Sequence, residues 1–189
     1  GRVQGSLNLP LTPRGIEQVE DIVSLLRETE LSAIYASPTE PALSTAERIA
    51  TGLHLPLKIK DDLANLDFGL WQGLSVTEIR HRQPRVLRQW EEAPASVCPP
   101  QGETWDHAWR RVEHALHKPI RRGQDFAVVV PEPLATLVTC LLYGAESAID
   151  CPLSGHLGEG RVEEITARCG ESKVPIWSWT RHEVRESRK

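Results

Sequence analysis

Ala33-Ile34-Tyr35-Ala36-Ser37-Pro38, with residues 41–50 and Gly52 behind it, is the stretch on which the fold turns. Four residues suited to a buried strand stop at a Ser-Pro turn, and a helical pattern then runs to a glycine. The segment predicts a strand, a turn and a helix closed by Gly52. Upstream, Thr12-Pro13 supplies an N-cap and a first helical residue, and Ile16, Val19, Ile22, Val23 and Leu26 recur at helical spacing, predicting a helix over about 13–28. Downstream, 55–60 alternates like a strand, 63–73 is rich in loop residues, and 76–90 is helical with a break at Pro84. Residues 93–102 hold Pro94, Pro99 and Pro100 and read as an excursion from the core. An amphipathic helix from Thr104 to about His117 leads to a buried strand at 126–130, and a helix over 133–143 stops at Gly144. Strands at 162–166 and 174–180 and a charged tail at 181–189 complete the pattern. Alternating strands and helices predict a three-layer α/β/α sandwich on a mostly parallel sheet, one domain over 1–189.

Composition narrows the function. The 189 residues carry 22 Lys+Arg against 26 Asp+Glu, a net charge of −4, with 40% apolar and 25% charged residues, so a packed core is expected and no basic block marks a nucleic-acid surface. No apolar run approaches the roughly 18 residues of a membrane span. Cys98, Cys140, Cys151 and Cys169 are scattered without a C-x-x-C pair, which speaks against zinc and fits reduced thiols in a cytoplasmic protein. The chain holds no Met and begins at Gly1, so a preceding segment in the gene product is expected.

Several collinear motifs then point to one family. The run Gly1-Arg2-Val3-Gln4-Gly5-Ser6-Leu7-Asn8-Leu9-Pro10-Leu11-Thr12-Pro13-Arg14-Gly15, with Gln18, resembles the segment that follows the catalytic motif of the histidine phosphatase superfamily, the phosphoglycerate-mutase-like proteins. Ile34-Tyr35-Ala36-Ser37-Pro38, Thr45-Ala46-Glu47, Leu66-Asp67-Phe68-Gly69-Leu70-Trp71-Gln72-Gly73-Leu74, and Trp90 with Pro99-Pro100-Gln101-Gly102-Glu103-Thr104 continue the order. The resemblance covers 1 to about 145, while 146–189 diverges. It implies transfer of a phosphoryl group through a phosphohistidine, which needs a nucleophilic imidazole, cations around the phosphoryl oxygens and a carboxylic acid for the leaving group. It also implies that Gln4, Gly5 and Phe68 line the ligand pocket, and that 93–102 forms part of a lid.

At three separated positions the chain departs from the family pattern. The resemblance places the nucleophile in an Arg-His-Gly motif shortly before Gly1. An arginine is expected at or next to Pro41, an acid where Asn65 stands, and a second histidine where Val128-Val129-Val130 is followed by Pro131-Glu132-Pro133. Asparagine cannot deliver a titrating proton, and a carboxylate at 132 repels a phosphoryl group that an imidazolium would attract. Pro131 and Pro133 remove backbone donors where a helix start would hold an anion. The expectation is a catalytically inactive member serving as a binding or interaction module, for a small polar ligand or a protein partner. The alternative is a phosphomonoesterase or mutase acting on a small phosphorylated metabolite. No metal or organic cofactor is implied by either.

Arg181-His182 after an apolar strand resembles the family's first motif without its glycine. A circular permutation would make His182 the nucleophile, with Arg181 beside the phosphate; the simpler reading is a solvated tail. His107, His114 and His117 share one helix without a metal-like third ligand and read as surface residues. Glu103, just before that helix, reads as a carboxylate favoured by exposed N–H groups. Of ten aromatics six are Trp, and Trp71, Trp90, Trp105 and Trp109 are expected mostly in core or lid packing.

Overall fold

Period-two alternation along one short strand sets up two cores. In the computed structural model, which describes residues 2–5, 7–93, 96–143, 162–168 and 176–182, the last two stretches and Tyr143 as backbone only, β1 (Ile34–Ala36) is buried on both faces. Ile34 and Ala36 join one apolar cluster and Ala33 and Tyr35 the other. β3 (Ala127–Val129) divides in the same way, with Ala127 and Val129 on the first side and Phe126, Val128 and Val130 on the second. With β2 (Leu57–Ile59) these strands form a parallel sheet of order β2-β1-β3, Ile34 lying opposite both Leu57 and Ala127.

Helices cover both faces, as a parallel sheet requires. α1 (Pro13–Leu26) and α2 (Ala42–Leu53) seal one side with Val19, Ile22, Val23, Ala46, Ile49 and Ala50. α3 (Val76–Arg82), α4 (Pro84–Glu92), α5 (Trp105–Arg122) and α6 (Leu134–Tyr143) supply the other core, through side chains such as Ile79, Leu87, Val112 and Leu137. The three-layer α/β/α arrangement expected from the sequence is what forms. The strands β4 (Val162–Arg168) and β5 (Ile176–His182) pair antiparallel as a second, two-stranded sheet.

Several boundaries differ for physical reasons. α1 starts as expected, with Thr12 Oγ1 accepting from Gly15 N–H, but ends at Leu26. α2 runs through Gly52 and is closed by His54 in the left-handed region at φ 55°, its N–H bonded to the carbonyls of Ala50 and Thr51. Gly52 instead serves close packing, since a Cβ there would lie 2.6 Å from Val23 Cγ1 on α1. α5 continues past His117 and through Pro119 to a left-handed Gly123, because the packing of its buried face outweighs the backbone bond that proline forgoes. Arg181 and His182 belong to β5 rather than to a tail, while Gly144 and 183–189 lie outside the described residues.

The described part of 93–102 is fastened down. Leu70 N–H donates to Pro100 O at 3.0 Å, Glu103 N–H to Asp67 O at 2.8 Å, and Val97 is buried. Beneath it Trp71, Trp90 and Phe68 form a buried edge-to-face cluster, with centroids 5.9 Å apart for the Trp pair and 5.4 Å for Phe68 and Trp90. Trp71 Nε1 donates to Gln83 Oε1 at 2.8 Å.

Gly52→Ala is expected to destabilise the chain by about 1–3 kcal/mol despite alanine's higher helix propensity, because the new methyl overpacks the α1–α2 contact. Urea denaturation of Gly52→Ala, Val23→Ala and the double variant checks this. The double variant should recover part of the loss.

Candidate functional site

The carboxyl ends of β1 and β3 lie side by side, since Ser37 N–H donates to Val129 O at 3.0 Å. Such strand ends are where ligands sit in open α/β sheets. Past β1, buried Ser37 folds the chain over, its Oγ 2.7 Å from Thr39 Oγ1 and accepting from Thr39 N–H at 3.2 Å. Glu40 follows, its N–H bonded to Asn8 Oδ1 at 3.0 Å, and then Pro41, which precedes the first residue of α2. Past β3 come Pro131, Glu132 and Pro133, leading into α6. Glu132 Oε2 accepts from Thr136 N–H and Oγ1 at 3.3 and 3.0 Å.

Asn65 ties these loops together. It is 4% exposed, and its Nδ2 donates to Gly5 O at 2.8 Å and to Glu132 O at 3.0 Å. The structure thus joins Gly5, Asn65 and Glu132 directly. Gly5 has φ 54°, the left-handed region that favours glycine, and a Cβ there would press on the Gln72 side chain. Gln4 bends its amide back to Leu7 O at 3.3 Å. Phe68 is buried in the core against Trp90. Arg181 and His182 are placed on β5, opposite Glu163 and Val162 of β4, in a sheet that, among the described residues, shares no ladder with β1 or β3.

Arg111, to which the sequence reading gave no role, holds the Asn65 loop from behind. All five of its N–H bonds are used. Nε and Nη2 clasp Glu103 at 2.7 and 2.8 Å, Nη1 donates to the carbonyls of Asp62 and Ala64 at 2.7 and 2.6 Å, and Nη2 donates to Asn65 O at 3.3 Å. The pair is largely buried, with side chains 14% and 10% exposed. The available signal was position, because Arg111 follows Ala108 by three and precedes Ala115 by four, on the apolar stripe of α5. Glu103 therefore does more than favour a helix start. Burial pulls its carboxyl upward, but hydrogen bonds and charge from Arg111, with His107 at 2.6 Å, outweigh that and hold it below the ordinary 4.5. His107 and His114 are exposed, the latter 2.8 Å from Asp62 Oδ2.

Among the described residues no group of three or more His, Cys, Asp or Glu is placed to hold a metal, and no helix is long and apolar enough to cross a membrane. Cys98 and Cys140 are free thiols, while Cys151 and Cys169 lie outside the described residues. A shallow cavity of about 440 Å³ lies at the opposite end of the sheet, lined by residues such as Leu26, Arg27, Leu53 and His54.

Comparison with known proteins places this arrangement. Residues 1–148 match the profile of the histidine phosphatase superfamily (branch 1). The chain is 36% identical over 138 residues to the bifunctional protein Rv2228c of Mycobacterium tuberculosis, a match covering 72% of this chain and 35% of that protein, so it spans about a third of that relative's length. It is 30% identical over 148 residues to phosphoserine phosphatase 1 of Hydrogenobacter thermophilus, covering 77% of this chain and 70% of that one. The native structure of mycobacterial glucosyl-3-phosphoglycerate phosphatase Rv2419c superposes with a TM-score of 0.79 at 19% identity, over 96% of this chain and 90% of the other, a likeness of fold.

Arg111→Met is expected to cost about 3 kcal/mol or more, because it strands the buried Glu103 carboxylate and three carbonyls. For Glu103 the depressed folded-state pKa means that its stabilisation is present above 4.5 and is lost as pH falls through the lower folded value. The stability gap between wild type and Glu103→Gln, measured by denaturant titration, should therefore be widest near neutrality and shrink in acid.

Proposed function

The chain belongs to the histidine phosphatase superfamily, and from that premise we propose that it uses the surface at the ends of β1 and β3 to bind a small polar ligand or a partner protein without transferring phosphate. The observation that carries this reading is the set of side chains joined there. Asn65 spends both amide hydrogens on the Gly5 and Glu132 carbonyls and has no titrating proton to give a leaving group. Pro41 offers no charge where the family pattern expects an arginine. Glu132 brings a carboxylate to a place that must attract a phosphoryl group, and Pro131 and Pro133 lack N–H donors at the start of α6. Phosphoryl transfer rests almost wholly on positioning and charge stabilisation, so these substitutions weigh directly on its rate.

A second reading is a phosphomonoesterase or mutase acting on a small phosphorylated metabolite through a phosphohistidine. The names of the relatives back it more strongly than they back the first, since the Hydrogenobacter relative is a phosphoserine phosphatase. Within the 189 residues its candidate nucleophile is His182, with Arg181 beside it. Both readings take 1–189 as one domain and invoke no metal or organic cofactor.

Steady-state hydrolysis of an aryl phosphate, from mildly acidic to neutral pH, separates the first reading from a phosphohistidine formed on His182. The expected outcome is no turnover above buffer for either the 189-residue chain or His182→Ala, with both shown to be folded by circular dichroism. Turnover that disappears in His182→Ala would establish the second reading.

A further inference from the structure

The sheet order β2-β1-β3 leaves β2 with one strand neighbour among the described residues. Ile34 N–H donates to Pro56 O and Lys60 N–H to Ala36 O, each at 3.0 Å, and the register sets Ile34 opposite Leu57 and Ala36 opposite Ile59. Alternation along a parallel ladder therefore turns the N–H and C=O of Leu57 and Ile59 away from β1, with no hydrogen-bond partner among the described residues. Open strand edges are commonly blunted by proline or by charge, and neither guards this one. Pro56 belongs to the set that faces β1, so the N–H it lacks is not missing from the outer edge. Lys58 turns to the other face of the sheet, its Nζ 3.3 Å from Tyr35 Oη and 5.1 Å from the ring centroid, and Lys60 shares its parity.

The same edge carries a knob and a hole. Ile59 is 49% exposed. Leu55 and Leu57 pack onto the core beneath α1 and α2 and, with Glu47, Ala50, Thr51 and His54, line a groove of about 520 Å³ between α2 and β2. Leu57 and Ile59 point to one face, so the knob stands at the end of β2 and the groove at its start, on the same side of the sheet. Knob and groove of one molecule cannot meet each other. They meet when a second copy approaches antiparallel.

We propose that β2 is the interface of a symmetric dimer, in which two copies pair antiparallel through their outer edges about a two-fold axis at Leu57. In that register the N–H and C=O of Leu57 exchange bonds with those of Leu57 in the second copy, and Ile59 falls opposite Leu55 and enters the groove of the other chain. Charge selects the same register. Lys58 falls opposite Pro56 and Lys60 opposite His54, whereas an axis at Lys58 sets Lys58 against Lys58 and an axis at Ile59 sets Lys58 against Lys60. An edge this short supports a weak dimer that forms with rising concentration. The interface lies on β2, apart from the ends of β1 and β3, so it goes beyond the binding reading above and does not depend on it.

Sedimentation velocity of the 189-residue chain, over a concentration series up to about 100 µM, is expected to show a dimer that grows with concentration. Ile59→Lys should weaken that dimer about tenfold or more and leave the far-ultraviolet circular dichroism unchanged, because the side chain is exposed. Oxidative cross-linking on a non-reducing gel, beside the wild-type chain, reads the register. Leu57→Cys should add a disulfide-linked dimer, since residues directly opposite lie about 5.5 Å apart at Cα, and Lys58→Cys should add none. A chain that stays monomeric across the series overturns the inference and leaves the edge to another occupant. A dimer of undiminished strength in Ile59→Lys overturns it too, as does a cross-link stronger in Lys58→Cys than in Leu57→Cys.

Discussion

Burial of β1 on both faces is the constraint from which the rest of the molecule follows. Three residues, Ile34, Tyr35 and Ala36, must each find apolar company, and alternation sends them to opposite sides. One helical layer cannot satisfy both sides, so α1 and α2 take one and α5 and α6 the other. Parallel pairing with β2 and β3 then brings the ends of β1 and β3 to one edge. Ser37, Glu40, Pro131 and Glu132 share a place because the sheet beneath them has this register.

Behind that edge stands a second, electrostatic constraint. The loop that carries Asn65 is anchored in the core by Leu63 and Leu66, but its carbonyls would be costly to bury unpaired. Arg111 answers all of these at once, and Glu103 answers the charge of Arg111. The hydrophobic layer thus ends in a guanidinium whose donors are all spent inside the protein, so that it offers nothing to an arriving anion. The site in front of it is correspondingly rich in oxygen and poor in N–H.

The architecture was legible because its signals are local. Thr12-Pro13 caps α1 whatever else the chain does, and Ala33 to Pro38 reads as a strand and stop on its own. Where tertiary packing overrules local preference, the reading slipped. Gly52 resembles a helix terminator but is there to admit Val23, and Pro119 resembles a breaker but sits inside a helix held by its buried face. In the site, the residues at 41, 65 and 132 could be named from motif order. The link from Asn65 to both Gly5 and Glu132 and the Arg111 clasp could not, because each joins residues far apart in sequence. Phe68 packs against Trp90 in the core, a contact that motif order alone does not give.

The Phe68, Trp71 and Trp90 cluster also gives the molecule an optical property. Two indoles 5.9 Å apart and 74° inclined, buried and with Trp71 bonded to Gln83, couple their electronic transitions and produce a strong near-ultraviolet circular dichroism signal. These rings lie under the 67–71 loop, whose backbone is laced to Pro100 and Glu103. Light absorbed there reports this corner of the core and the strap across it, and a chain that kept its helices while loosening this corner would betray the change in colour before it did so in shape.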